Sequence, residues 1–142
     1  GVGLAGAADI VLAAKGAQFG LPEVDNGALG ALTHLARLVP QQRARQMLYT
    51  CETAAAEELK DYGSVYEVVP PEKLLTNARE IAFKIASKPS TTIRAAKESA
   101  NGIELVNIRN SYRFEQGFTY ELNLAGEGEK ARQAFIDGNR NA

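Results

Sequence analysis

Two adjacent prolines, Pro70-Pro71, divide this chain into stretches with different hydrophobic periods. Before them, apolar residues come in short runs broken by glycine. After them, they recur at helical spacing. Residues 10–14 form a compact apolar run, the pattern of a strand buried on both faces. Gly16 turns the chain, and residues 17–19 begin a second short strand that Gly20 and Pro22 punctuate. Glu23 therefore stands just past a strand end, with a side chain that need not join a regular face.

The pass along the chain gives further elements. Residues 4–8 read as a short helix after a glycine turn. Leu32, Leu35 and Leu38 give residues 31–38 a helical spacing, Val39-Pro40 stops it, and a second helix runs over 41–49. Residues 53–62 read as a helix with Thr53 as N-cap, acids in the first turn and Gly63 at C′. Residues 65–69 read as a strand. Beyond Pro71, placed at a helix N1 position, Leu74, Ala78, Ile81 and Ile85 mark one helix, and residues 90–102 another after Lys88-Pro89. Val106, Asn110, Phe114, Phe118 and Leu122 form an i+4 stripe on a long helix over 105–124, with Tyr112 and Tyr120 beside it. That stripe reads as core or subunit interface. A last helix spans about 127–136.

The strands are too few to close a sheet and need neighbours to pair with, so the chain reads as the second part of a larger fold whose other strands lie upstream. The start at Gly1, without an initiator Met, supports that expectation.

Composition narrows the functions. In 142 residues, 16 Lys and Arg meet 17 Asp and Glu, leaving a net charge of −1 and no basic block for phosphates or anionic lipid. No apolar run reaches the roughly 18–20 residues that span a bilayer, and the first residues lack the basic region of a secretory signal. The expected setting is cytoplasmic, without nucleic-acid or membrane partners. Cys51 is the single cysteine, which excludes an intrachain disulfide and favours a small buried hydrophobe. With His34 the single histidine, no metal site is expected.

The ordered motifs resemble the crotonase family, the enoyl-CoA hydratases and isomerases. They are Gly1-Val2-Gly3, Asp9, and Phe19-Gly20-Leu21-Pro22-Glu23, then Asn26-Gly27 and Gly30, Leu35 through Pro40, and Leu48-Tyr49-Thr50. Ala55, Glu57 and Glu58 follow, then Gly63-Ser64-Val65, Val68-Val69-Pro70 and Ala95-Ala96-Lys97-Glu98. The resemblance covers essentially the whole chain. It implies an α/β fold: residues 1–70 as the second half of a β-β-α spiral, and residues 71–142 as a helical region that makes trimers, often paired into hexamers.

It also implies a substrate, an acyl-CoA thioester, with no separate cofactor. As the thioester carbonyl develops negative charge, two backbone N–H groups stabilise the oxyanion. One belongs to the glycine turn at the edge of Gly1, where a helix start offers unpaired N–H groups. The other belongs to the upstream half, so the chain alone is expected to be inactive. Glu23 matches the family's second catalytic glutamate, an acid/base working on water and the substrate carbon. The position of the first is occupied by Gly3, which leaves room for a bulkier acyl group. Gly30 is a further pocket residue. Asp25 and His34 are close enough in sequence to assist catalysis, although Asp25 also fits a solvated turn and His34 a polar helix position. Phe135 resembles the C-terminal aromatic that packs near the CoA adenine of a neighbouring subunit. Gly138 replaces the expected cation, and Arg140 lies two positions later as a second CoA-binding candidate.

With only one of the two carboxylates kept, hydration competes with isomerisation and with a retro-Claisen hydrolysis of a β-diketone. The motif Pro22-Glu23-Val24 followed by residues 27–40, together with residues 118–126, resembles the branch that opens steroid-derived ring CoA esters. A reading of another class is a non-catalytic assembly half that supports a partner chain.

Overall fold

The structure is a computed structural model in which residues 1–103 and 108–138 are described. Helix α1 (Val2–Ala7) leads into strand β1 (Leu12–Ala14), then β2 (Gln18–Gly20), a 3-10 turn (Val24–Asn26), α2 (Leu32–Leu35) and α3 (Gln41–Thr50). Strand β3 (Thr53–Ala55), α4 (Ala56–Asp61) and β4 (Glu67–Val69) complete the first part. After the 3-10 turn Pro71–Lys73 come four helices, α5 (Leu74–Ala86), α6 (Ser90–Gly102), α7 (Ile108–Leu124) and α8 (Glu127–Ile136).

The strands supply one another. β1 pairs in parallel with β4, Ala13 opposite Val68, and amides just outside the ladder extend it: Tyr66 N–H to Val11 O and Lys15 N–H to Val69 O, both 2.8 Å. β2 pairs antiparallel with β3, Phe19 opposite Ala54. Each sheet has two strands among the described residues.

The second pairing corrects the expected helix over 53–62. Residues 53–55 are strand, Ala55 rather than Thr53 precedes the helix, and α4 begins at Ala56. The alanines have helical propensity, but β2 carries buried Phe19 and its backbone needs partners, which outweighs a local preference. Ala54 is fully buried opposite Phe19, and Gly20 lets Thr53 close in: a Cβ on Gly20 would stand 2.7 Å from Thr53 Cγ2. The expected helix over 31–38 likewise shrinks to the four residues of α2.

The hydrophobic core lies within the first part. Leu21, Leu35, Met47, Leu59 and Val65 are its largest fully buried side chains. Cys51, expected to be buried, is half-exposed, because it ends α3 in a left-handed conformation with φ 54°. The later helices bury no large apolar side chain among the described residues. Phe114 is 73% exposed and Phe118 is also exposed, so the aromatic stripe of α7 is not core of this chain. Val106, the first residue of that stripe, lies outside the described residues. α7 meets α2 through a different face, described next.

Candidate active site

Glu23 is held by its neighbours on both sides. Leu21 plugs the core, and Pro22 turns the chain outward with its carbonyl accepting the Asn26 side-chain amide at 2.7 Å. The Glu23 carbonyl accepts two amides, from Asn26 at 3.0 Å and Ala28 at 2.9 Å. This fixes the backbone of a residue whose side chain is half-buried. Its Oε2 is enclosed and has no hydrogen-bond partner among the described residues. A desolvated polar atom without a partner costs about 1–3 kcal/mol, and a site that receives a substrate or water there offsets the cost.

The chain continues from this loop through residues 28–34, the Ala28 amide already bonded to the Glu23 carbonyl. Thr119 of α7 brackets Leu29, accepting its N–H at 3.1 Å and donating to its carbonyl at 2.6 Å. Gly30 is buried, and a Cβ on it would reach Gln116 Nε2 at 3.7 Å. Ala31 adopts φ 61°, a left-handed conformation that an alanine takes only when its surroundings impose it. Glu115 then receives the Leu32 N–H, at 2.9 Å to Oε1 and 3.2 Å to Oε2. The Glu115 carboxyl is pushed up from its ordinary range by burial. The Leu32 and Thr33 amides oppose this, and the charge of Glu23 adds to it.

His34 follows on α2. Its ring stands edge-on to Tyr112 with centroids 5.4 Å apart, and its Nδ1 is enclosed without a partner among the described residues. Burial, then the Arg37 charge, holds its pKa below the ordinary 6.5, so the ring is neutral at pH 7. Behind it, α1 crosses α2 closely at Gly6. Any Cβ there would collide with the His34 carbonyl, and Arg37 donates to the Gly6 carbonyl. Gly3 faces the same turn with more room: a Cβ would meet Ala31 Cβ at 3.9 Å, an ordinary contact.

The expected site residues thus fall into two groups. Gly3 and Gly30 flank the Ala31 turn, His34 follows it, and Glu23 precedes it, its carbonyl accepting the Ala28 amide that leads into the turn. Gly1 is exposed at the N-cap of α1, its carbonyl accepting the Ala5 amide at 3.0 Å. Asp25 is exposed in the first turn of the 3-10 segment, on the solvent side of the loop. Phe135 lies on α8, exposed beside an open pocket of about 320 Å³ that Asn26 and Arg132 also line. α8 reaches this place because Gly27, at φ 63°, lets the Glu127 backbone approach: a Cβ would stand 2.7 Å from its carbonyl oxygen. Arg140 lies outside the described residues.

Sequence reasoning missed Glu115, Thr119 and Gly6. The apolar i+4 stripe drew attention to Phe114 and Phe118, whereas α7 presents the neighbouring stripe, Tyr112, Glu115 and Thr119, to the site. A carboxylate and a hydroxyl four residues apart on an aromatic helix were the signal available.

Comparison with known proteins matches this arrangement to one family. The enoyl-CoA hydratase/isomerase profile fits residues 1–140. A (7aS)-7a-methyl-1,5-dioxo-2,3,5,6,7,7a-hexahydro-1H-indene-carboxyl-CoA hydrolase of Rhodococcus jostii (strain RHA1) is 56% identical over 96% of this chain and 53% of its own length. The protein of that name from Mycobacterium tuberculosis (strain ATCC 25618 / H37Rv) is 50% identical over 96% of this chain and 55% of its own length. Among solved structures, a carnitinyl-CoA dehydratase from Mycobacterium avium 104 superposes with a TM-score of 0.88 at 27% identity, covering 100% of this chain and 58% of that one. The chain spans about half the length of the curated relatives it matches. A half-buried glutamate behind a proline turn, a glycine-lined wall and a profile match from end to end place the chain in the enoyl-CoA hydratase/isomerase, or crotonase, family.

Proposed function

We propose that this chain contributes the acid/base part of an acyl-CoA enzyme acting on a bulky, cyclic acyl group, and that the reaction is hydrolytic ring opening. The observation that carries the reading is Glu23, whose enclosed Oε2 has no partner among the described residues and is open to accept a hydrogen bond from water or substrate. The likeness to the indene-carboxyl-CoA hydrolases supports the substrate class.

In this reaction Glu23 takes a proton from water as the oxygen adds to a ring ketone. The tetrahedral adduct collapses, the ring carbon–carbon bond breaks, and its electron pair becomes the thioester enolate. Two backbone N–H groups hold that enolate oxygen, one from the turn at Gly1 and one from the segment corresponding to the first half of the relatives. The enolate carbon then recovers the proton from Glu23, for a net gain of one water. Gly3, where an added Cβ would touch only Ala31 Cβ at 3.9 Å, leaves the acyl group the volume that a glutamate side chain would fill. His34, neutral and against Tyr112, shapes the wall rather than carrying charge. CoA is part of the substrate, and no further cofactor takes part.

The exposed aromatic face of α7, with Leu75 and Phe83 on α5, supports a homotrimer or hexamer, in which apolar surface left open by one chain is covered by another. A second reading, hydration of an enoyl-CoA, is favoured by the superposition on a dehydratase. It uses the same glutamate.

The test is to supply the full-length protein with crotonyl-CoA and with a cyclic β-diketone CoA ester in ¹⁸O-water, and to read product masses. The expected result is a ring-opened product carrying one added oxygen. Turnover of crotonyl-CoA alone would establish hydration instead, and turnover of neither would overturn both readings.

A further inference from the structure

We propose that Ala31 is a specificity-determining residue: its methyl group, beside the bare backbone of Gly3, forms the apolar floor on which the ring of a cyclic acyl group rests. The inference rests on the reading of the substrate as a bulky, cyclic acyl-CoA.

Two residues other than glycine hold a positive φ among the described residues, Cys51 and Ala31. Cys51 follows the last residue of α3, where a left-handed residue is an ordinary way to end a helix. Ala31 stands at the opposite end of a helix, at the N-cap of α2 with φ 61° and ψ 11°, where the backbone is usually extended. Helix chemistry therefore accounts for Cys51 and leaves Ala31 unexplained. Glycine would take this conformation without strain, having no Cβ to crowd the following carbonyl. Yet the neighbouring glycine, Gly30, has no positive φ, and the strained position carries a methyl. Backbone strain kept at a candidate site points to a use for the group that causes it.

The turn is held from outside. Thr119 grips Leu29 by both its amide and its carbonyl, and Glu115 receives the Leu32 amide, so the chain is fixed on either side of Ala31. That fixes the direction of the methyl as well. A Cβ placed on Gly3 would meet Ala31 Cβ at 3.9 Å, and no other atom outside α1 among the described residues comes within 4 Å of it. A side chain at position 3 would thus start out against the Ala31 methyl. Ala31 itself is partly exposed while packing on the edge of the core. Where the family resemblance puts a carboxylate, this chain offers a glycine Cα and a methyl, carbon in place of a charged acceptor. Such a floor favours a ring over a short chain, because each further methylene laid on apolar surface strengthens binding about four-fold.

The experiment reads binding rather than turnover, which frees it from the identity of the reaction. The full-length protein is titrated by calorimetry with cyclohexanecarboxyl-CoA and with butyryl-CoA, two saturated thioesters that lack the ring ketone and the double bond. Wild type is expected to bind the ring ester more tightly. Ala31→Gly removes the floor methyl and is expected to cut that preference roughly three- to ten-fold, with butyryl-CoA within about two-fold of wild type. Its urea unfolding midpoint should be no lower than that of wild type, because glycine relieves the strain. Gly3→Ala sets a second methyl on the first and also weakens the ring ester. The double variant Gly3→Ala/Ala31→Gly moves the methyl across the contact and recovers part of the loss, as two residues sharing one surface do. An unchanged preference in folded Ala31→Gly, or losses that simply combine in the double variant, overturns the proposal. A lowered midpoint with unchanged preference would assign the methyl to the core alone. Should Ala31→Gly not fold, Ala31→Ser keeps the volume and adds a hydroxyl, and a preference it leaves intact counts against the proposal equally. Wild type binding both esters alike would overturn the cyclic-substrate reading and this inference with it, whereas a wild-type preference indifferent to Ala31 overturns the inference alone.

Discussion

Residues before Pro70 and the helices after Pro71 solve opposite problems. The first part has a core of buried apolar side chains, with Leu35, Met47 and Leu59 excluded from solvent altogether, even though Leu4, Tyr49 and Tyr66 stay exposed on it. The second leaves Leu75, Phe83, Phe114 and Leu124 exposed and buries a carboxylate. The first part is stabilised by its own core, whereas α7 and α8 are attached to it by polar and backbone contacts at the site: Thr119 on Leu29, Glu115 on Leu32, and the Glu127 backbone on Gly27. The lesson is that the helical region clamps the turn at residues 27–32 through polar and backbone contacts while its apolar side chains stay exposed on this chain.

The contrast breaks most sharply if the core is not where it is placed. Leu59→Ala, at a fully buried position, is expected to cost about 2–5 kcal/mol in urea unfolding of the full-length protein, while Phe114→Ser lowers oligomer mass in light scattering. Equal loss of chain stability with unchanged mass in both would erase the distinction. Gly6→Ala tests the crossing of α1 and α2, where the new methyl has no space beside the His34 carbonyl. About 1–3 kcal/mol of destabilisation is expected, read from the same unfolding curves. A neutral result would mean that α1 does not approach α2 as described.

The smallest effect concerns pH. Glu115 binds its proton more tightly folded than unfolded, so its contribution to stability is greatest below its ordinary 4.5 and is lost as pH rises through the folded value. His34 binds its proton less tightly folded, so its contribution is present above 6.5 and is lost as pH falls through the lowered folded value. Unfolding midpoints of Glu115→Gln and His34→Gln against wild type should therefore diverge in opposite directions with pH. Parallel curves would contradict the burial assigned to both groups.

Much of this was legible in the sequence because it rests on local chemistry. Pro22 and Gly20 mark the strand end that presents Glu23, Pro71 opens the helical region, and α8 occupies the expected residues 127–136. What the sequence concealed depends on contacts between distant residues. Ala54 and Ala55 have helical propensity, and only the partner strand carrying Phe19 makes them strand. Glu115 reads as an exposed polar residue between aromatics until α2 is seen to offer its Leu32 amide, 83 positions away. The length of α2 was overestimated because the leucine spacing persists past the residue at which the regular helix ends.

The central claim is that Glu23 carries the chemistry. The direct measurement is kcat of full-length Glu23→Gln on the cyclic β-diketone CoA ester and on crotonyl-CoA, with folding verified by unchanged unfolding behaviour. A fall of about 10²–10⁴-fold is expected on whichever ester the wild type turns over, with substrate binding largely kept. Undiminished turnover would contradict it.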